Sequence, residues 1–305
     1  MAEMPVAEMP VAEGAIAAAN VQPSRSRRSG VPGRRRWPVP LVAGAVIVAI
    51  VLAAAVFAQV IAPFPFDQIH MRDRLSPPGF PYLAGTDEYG RDVLSRLLIG
   101  SQLSIALGVI ATAISMAIGV PLGLFAGYRP GWLSELVMRG MDVMMAFPPI
   151  MLVLLILAVT SPGLFKTAVA VGILFIPPIV RVTRSVALDL MGEDFVEAAR
   201  SRGERAWYIL ARELLPNVWP VLMVEASLRV VFAILLGAVL SFLGFGVQPP
   251  AADWGLMISN GRNFVDDAPW ISLAPGLAMS ITVIGISLVG DGLRQMLDPR
   301  ARGRR

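Results

Sequence analysis

The sequence predicts an all-α, polytopic membrane protein with six transmembrane helices. Three observations carry this reading. Of the 305 residues, 55% are hydrophobic and only 16% are charged, against roughly 45–50% apolar and about 25% charged in soluble domains. The few charges are separated by uncharged runs long enough to cross a bilayer, which takes about 20 apolar residues. The basic residues also fall unevenly on alternate sides of those runs, as expected of a chain oriented in a membrane.

The same composition removes much chemistry. There are no cysteines, so thiol nucleophiles, zinc–thiolate sites and iron–sulfur clusters are excluded. His70 is the one histidine and Lys166 the one lysine. Phe165 precedes Lys166, so the chain has no phosphate-binding Gly-Lys-Ser/Thr loop. No metal site and no catalytic residue are expected. The net charge of +4 does not point to nucleic acid, because the arginines gather in the tails and one internal loop without an aromatic-and-basic module.

In chain order, residues 1–37 contain Ala-Glu-Met-Pro-Val twice, at 2–6 and 7–11, and then six arginines among Ser, Gly and Pro. So little apolar surface predicts a disordered tail. Residues 38–62 are uncharged and form the first span. They are too long and too far from the start for a signal peptide, whose apolar region runs about 7–15 residues. Residues 63–100 read as an extracytoplasmic segment. Pro63, Pro65, Pro77, Pro78 and Pro81 keep its first part irregular. Thr86 then caps an interfacial helix with Asp87 and Glu88 in its first turn. Val93, Leu94, Leu97 and Leu98 form its apolar stripe, and Arg91, Asp92 and Arg96 lie outside that stripe. His70, in this segment, reads as a solvated surface residue.

The second span lies in the 32 uncharged residues between Arg96 and Arg129, and the third in the 23 between Asp142 and Lys166, with Pro148-Pro149 near its entrance. Asp142 reads as paired with Arg139 on one helix surface. Only 14 residues separate Lys166 from Arg181, too few for a core of about 30 Å. The fourth span therefore runs on to about residue 187, with Arg181 and Arg184 reaching for headgroups. The fifth covers about 217–245 and holds Glu225 and Arg229. The sixth lies between Asp267 and Asp291. With the N-terminus cytoplasmic, inside segments hold 19 basic residues, outside segments six, and the membrane Arg229. That bias places both termini inside, with a basic cytoplasmic tail at 293–305.

The inside loop 188–216 carries the most information. Phe195, Ala198 and Ala199 mark one short helical face, and Gly203 breaks it. Trp207, Leu210 and Leu214 mark a second face, which stops at Pro216. Glu193, Asp194, Glu197, Glu204 and Glu213 nearly balance Arg200, Arg202, Arg205 and Arg212. A mixed, partly apolar surface of this kind suits a protein partner; a solvated hairpin is the other reading. In the fifth span, Glu225 and Arg229 are four residues apart, in the favourable order for pairing on one helix face. A charge at that depth has to face protein or a water-filled cavity. Asp253 and Trp254 lie in the outside loop, where a tryptophan commonly sits at the lipid interface.

Glu197-Ala198-Ala199, three residues, Gly203, nine residues, then Glu213-Leu214-Leu215-Pro216 resembles the EAA loop of ABC importer permeases. That family more often has an apolar residue or histidine where Glu213 stands. Further stretches resemble the C-type subunit of the dipeptide/oligopeptide/nickel branch. They are Gly85-Thr86-Asp87-Glu88-Tyr89-Gly90-Arg91-Asp92-Val93-Leu94-Ser95-Arg96, then Leu240-Ser241-Phe242-Leu243-Gly244-Phe245-Gly246-Val247-Gln248-Pro249-Pro250, Asp253-Trp254-Gly255, Gly290-Asp291-Gly292-Leu293-Arg294 and Leu297-Asp298-Pro299-Arg300. The resemblance extends over about residues 40–300 and implies a type I ABC importer permease-like fold. The first helix would be peripheral and residues 101–292 would form the permease core.

It also implies a multi-pass protein of a bacterial inner membrane, with a second homologous permease subunit, two ATPase subunits or domains and an extracytoplasmic substrate-binding protein as partners. The substrate would be a dipeptide or oligopeptide, with a nickel or other metal chelate as the alternative. This chain would hold no cofactor, because ATP is used by the partner subunits. Glu197, Ala198, Ala199, Gly203, Leu215 and Pro216 would form the loop that docks on the ATPase. Glu225, Arg229, Asp253 and Trp254 would border the translocation pathway, with the loop of Asp253 and Trp254 folding partly back toward it to help close its outer mouth; the resemblance supports a glutamate at 225 and gives no support for the arginine. An ion channel would need a filter or a ring of charge, and an intramembrane hydrolase would need paired Asp or a Ser/His pair within the spans. The sequence offers neither.

The orientation is checked with single cysteines in this cysteine-free background. Ser201→Cys is expected to react with an impermeant thiol reagent only from the cytoplasmic side, and Ser76→Cys only from outside. The reverse pattern would overturn the topology.

Overall fold

The computed structural model describes residues 37–297. The Ala-Glu-Met-Pro-Val tail, the Leu297-Asp298-Pro299-Arg300 motif beyond its first residue and most of the C-terminal basic tail lie outside the described residues. Within them the secondary structure is helical, apart from one isolated bridge between Thr86 and Asp92.

Helix α1, Val39–Val56, starts behind Pro38 with a proline in its first turn, where a missing N–H costs nothing. It stops at Phe57, earlier than the predicted 62, and a short turn, Ala58–Ile61, follows. Helix α2, Val93–Tyr128, has 36 residues, about 54 Å at 1.5 Å per residue. Helices α3, Trp132–Ala146, and α4, Pro149–Ala158, meet at 91°. Helices α5, Leu164–Leu174, and α6, Ile176–Leu190, meet at 41°. Next come α7, Asp194–Ser201; α8, Ala206–Phe242; α9, Trp254–Gly261; and α10, Trp270–Leu297. By length and composition α1, α2, α8 and α10 can each cross a membrane, and six crossings result when each bent pair counts as one.

Prolines set both bends. The residue before a proline is pushed out of the helical region, and Phe147 accordingly has φ −84° and ψ 139°. Pro148 and Pro149 also lack the N–H groups that would bond the Met144 and Met145 carbonyls. Pro177 and Pro178 likewise cannot donate to Ile173 and Leu174, and the chain bends at Phe175.

Two expectations are corrected here. There is no separate interfacial helix starting at Thr86. Residues 74–92 are irregular, and α2 itself starts at Val93, capped by Asp92, whose carboxylate accepts from the Ser95 N–H at 2.8 Å. The second helical pattern of the inside loop does not stop at Pro216 either. Ile209–Leu214 form a π-helical turn, and the helix continues through Pro216 into the span. The wider turn accommodates the missing proline N–H.

Three apolar clusters are strung along α2. Val93 belongs to one with Trp254, Met257 and Ile271; Ala111 to a second with Val153, Val171, Phe175 and Leu240; Val120 and Leu124 to a third with Ile179, Val196, Ile209, Leu214 and Leu222. Near the third, Gly119, Gly123 and Gly127 form a stripe against α6. A Cβ on Gly123 would lie 2.5 Å from the Thr183 Cβ and 2.8 Å from the Val180 carbonyl. Small residues at such spacing let membrane helices approach closely. Gly123→Leu is expected to lower the melting temperature of the purified protein, by a destabilisation of about 1–3 kcal/mol. An unchanged melting temperature would show that the two helices can separate without cost.

Candidate functional site

The 188–216 loop is a helical hairpin anchored to the bundle. Helix α7 buries Val196 and Ala199 and leaves Glu197 and Ala198 exposed. The expected face is thus shifted by one residue: Ala199 packs inward with Val196, and Ala198 faces out. Helix α7 ends in a Schellman turn. Gly203 has φ +74°, its N–H donates to the Arg200 carbonyl at 2.9 Å, and the Glu204 N–H donates to the Ala199 carbonyl at 3.3 Å. A Cβ on Gly203 would meet nothing within 4 Å. The left-handed backbone, not crowding, is what calls for glycine there.

On the returning helix of this hairpin Ile209 and Leu214 are fully buried, while Trp207 is 63% exposed. The face that packs inward is thus marked by Ile209 and Leu214, and not by Trp207. Leu215 is half-buried against the third cluster and Pro216 is exposed. Glu213 does not stand alone, since Arg202 bridges Glu204 at 2.8 Å and Glu213 at 3.6 Å. The Arg200 guanidinium sits 5.2 Å from the Tyr128 ring at the end of α2. The loop thus rests on α2, α6 and α8 together.

Glu225 and Arg229 form the expected pair on α8. The Arg229 Nε donates to Glu225 Oε1 at 2.8 Å, with a second contact from Nη2 to the same oxygen. The guanidinium lies 5.4 Å from the Phe175 ring, at the α5–α6 bend, and 6.0 Å from Phe232. Both side chains are largely covered within the single chain.

Asp253 and Trp254 lie elsewhere. Gly255 packs on Ala238, nine residues along α8 from Arg229 and so about 13 Å away along the helix. The Asp253 carboxylate caps α9, accepting from the Gly255 and Leu256 N–H groups at 2.8 and 3.3 Å. Trp254 is not a lipid-belt residue. It is 2% exposed, its N–H donates to Ser104 Oγ, and its indole N–H donates to the Leu97 carbonyl, each at 3.1 Å. The loop after α8 therefore folds back into the bundle and locks onto α2.

Beside it is a buried charge network that sequence reasoning read as a polar helix face. Arg91 Nε donates to Asp87 Oδ2 at 2.7 Å, and Asp87 Oδ1 accepts from the Tyr89 and Arg91 N–H groups, each at 2.9 Å. Arg96, 2% exposed, lies 3.6 Å from Asp87 and donates to the carbonyls of Phe66 at 3.1 Å and Pro250 at 3.4 Å. One side chain thereby joins the segment after α1, the start of α2 and the segment before α9. Asp92 three residues before Ser95 was the available signal for the true cap. His70 is also less exposed than expected; its ring packs 6.4 Å from Tyr82 and 6.5 Å from Phe64.

Comparison with known proteins follows the same outline. Residues 119–303 match the family described as "Binding-protein-dependent transport system inner membrane component". The chain is 38% identical over 265 residues to the Di/tripeptide transport system permease protein DppC of Pseudomonas aeruginosa, covering 85% of this chain and 88% of that protein. It is 36% identical over 261 residues to the Dipeptide transport system permease protein DppC of Alkalihalophilus pseudofirmus, covering 86% of each. It is 38% identical over 262 residues to the Glutathione transport system permease protein GsiD of Pectobacterium atrosepticum, covering 86% and 87%. Among solved structures, an inward-facing MetNI methionine ABC transporter aligns with a TM-score of 0.56 and 21% identity, over 67% of this chain and 97% of that one. That likeness shows a shared fold.

The buried network has a measurable consequence. Burial pushes the Glu88 carboxyl above its usual range, and the neighbouring Asp87 adds to this, while Arg91 and Arg96 oppose it. A carboxyl raised in the folded state binds its proton more tightly there than in the unfolded chain. Its contribution to stability is therefore greatest below the unfolded value of about 4.3 and is lost as pH rises through the folded value. The melting temperature of Glu88→Gln relative to the parent is expected to rise between about pH 4 and pH 8. A difference that stays flat or falls would contradict this.

Proposed function

The chain belongs to the family of binding-protein-dependent transport system inner membrane components, and from that premise we propose that it is the C-type permease subunit of an ABC importer for dipeptides or oligopeptides. The observation that carries this reading is the 188–216 loop. Its exposed Glu197 and Ala198 stand on a helix whose other face, Val196 and Ala199, is fully buried against the transmembrane bundle. The peptide substrate is supported by the relatives' names, which specify di/tripeptides, dipeptides and glutathione. None of these three names a metal chelate.

In this proposal the protein is a multi-pass subunit of a bacterial inner membrane with both termini cytoplasmic. It pairs with a second homologous permease, rests on two ATPase subunits or domains that use the ATP, and receives peptide from an extracytoplasmic binding protein. Closure of the ATPases on ATP moves Glu197, Ala198, Ala199 and Gly203 as a unit. Ile209, Leu214 and Leu215 pass that movement to α2, α6 and α8, because they pack in one cluster. Continuity of α8 through Pro216 makes the loop and the fifth span one stiff rod. The pathway between the two permeases then alternates between inward- and outward-facing. Glu225 and Arg229 border it at mid-depth, and Asp253 and Trp254 brace its outer mouth.

The complex reconstituted in vesicles tests this. Dipeptide with binding protein is expected to stimulate ATP hydrolysis and drive uptake. Gly203→Val costs roughly 1 kcal/mol or more in the left-handed turn. It is expected to leave the subunit in the membrane while weakening ATPase association or uncoupling hydrolysis from uptake. Glu225→Gln and Arg229→Gln are expected to reduce uptake with assembly intact. Normal coupled transport by Gly203→Val would refute the docking role, and loss of assembly in the other two would move that pair to the subunit interface.

A further inference from the structure

The third crossing does not look like a crossing. Twenty-three uncharged residues separate Asp142 from Lys166, yet the helix within them, α4, has ten residues, or about 15 Å of a hydrocarbon layer near 30 Å. The 91° break at Phe147-Pro148 therefore falls inside this uncharged run, five residues past Asp142. The Met144 and Met145 carbonyls have lost their helical donors there, because residues 148 and 149 are prolines. Irregular backbone within the hydrocarbon is tolerated only where it is buried in protein or lines a water-filled cavity. Within this chain it is not buried: Met145 is 47% exposed, Phe147 48% and Met151 65%.

A second charged pair stands beside the break. Asp142, five residues before Phe147, does not pair with Arg139 as expected. It takes Arg181 from α6. The side chains are 57% and 44% exposed, unlike the covered pair on α8. Arg181 sits on α6 between Ile179 and Thr183, which meet Gly119 and Gly123 of α2. This is the end of the bundle that carries the 188–216 loop, and Arg181 is six residues from Phe175, the ring that stacks on Arg229. Two half-open charges next to free carbonyls are costly against lipid and cheap against water.

We propose that the broken third crossing and the Asp142–Arg181 pair form a second polar station on the translocation pathway, at its inner mouth, which receives the charged ends of a peptide. Arg181 takes the α-carboxylate in a charge-assisted contact, and Asp142 takes the α-ammonium. The inference rests on the peptide-importer reading above. It differs in kind from the Glu225–Arg229 site, because its two charges come from different helices and can separate when α3 and α6 move apart.

The test uses the full complex in vesicles, with the cysteine-free chain carrying Phe147→Cys or Met145→Cys and Ile50→Cys on the outward face of α1 as the control. Charged thiosulfonate reagents are expected to label positions 145 and 147 and not 50. The rate at 147 is expected to change at least about threefold when binding protein, dipeptide and ATP drive turnover. Adding Arg181→Gln is expected to slow the anionic reagent at 147 several-fold relative to the cationic one, because the steering charge is gone. Absence of labelling would place the break against lipid or the second permease and overturn the proposal. Labelling that ignores turnover would make the pair a headgroup anchor and overturn it as well. An unchanged ratio of reagents would remove Arg181 from the site. Dipeptide uptake by the parent complex is measured in the same vesicles, so failure of the importer reading is seen separately.

Discussion

A backbone that enters hydrocarbon must return its own hydrogen bonds, and this constraint organises the whole chain. It accounts for the long unbroken helices α1, α2, α8 and α10, because an extended segment in lipid would leave each N–H and C=O unpaired at several kcal/mol. It also gives meaning to the places where the helical ladder is interrupted. The interruptions at Pro148-Pro149 and Pro177-Pro178 come from prolines that cannot donate, and at a third site Pro216 is absorbed by a π turn. The first two bend the chain by 91° and 41°. The last leaves Ala206–Phe242 a single continuous helix.

Helix α2 is the element on which the others converge, and its two ends are held by different physics. At one end Arg96 and Asp87 are buried together with Arg91, and their charges are matched by each other and by backbone groups. Breaking a buried pair of this kind strands a charge and costs about 3–5 kcal/mol, so the network holds the segment after α1 and the turn before α9 in place. At the other end the glycine stripe brings α6 to backbone contact. The electrostatic lock ties the segments after α1 and before α9 to the start of α2, whereas the glycine contact is a packing surface between two helices.

The charged pairs also differ in what surrounds them. Glu225 and Arg229 neutralise each other on one helix beneath aromatic rings, so the pair travels with α8. Asp142 and Arg181 join two helices and remain half open. In a medium where an isolated charge is excluded, the difference between a pair within one helix and a pair between helices is the difference between a fixed feature and one that helix motion can open.

Much of this was legible from residues alone. Hydropathy and the spacing of charges placed four of the long helices, because burial in lipid selects composition over about 20 residues whatever the neighbours are. The 188–216 loop was legible too: Gly203 marks the only backbone its turn accepts, and the Glu-Ala-Ala face with its spacing identified the family. What tertiary structure decided was everything that depends on which surface meets which. For Trp254 the residues alone left open a lipid-interface position or a loop that folds back, and the structure buries it on α2, because burial is a property of the neighbour and not of the indole. Arg91 and Arg96 looked like a solvated face and are buried with Asp87, because the carbonyls of Phe66 and Pro250, which help satisfy Arg96, arrive from elsewhere in the chain. Asp142 was assigned to Arg139 by helical spacing and pairs with Arg181 instead, because local periodicity cannot see a helix that packs from 39 residues away. Sequence determines where a chain can cross a membrane; where its few charges go is settled only when the helices come together.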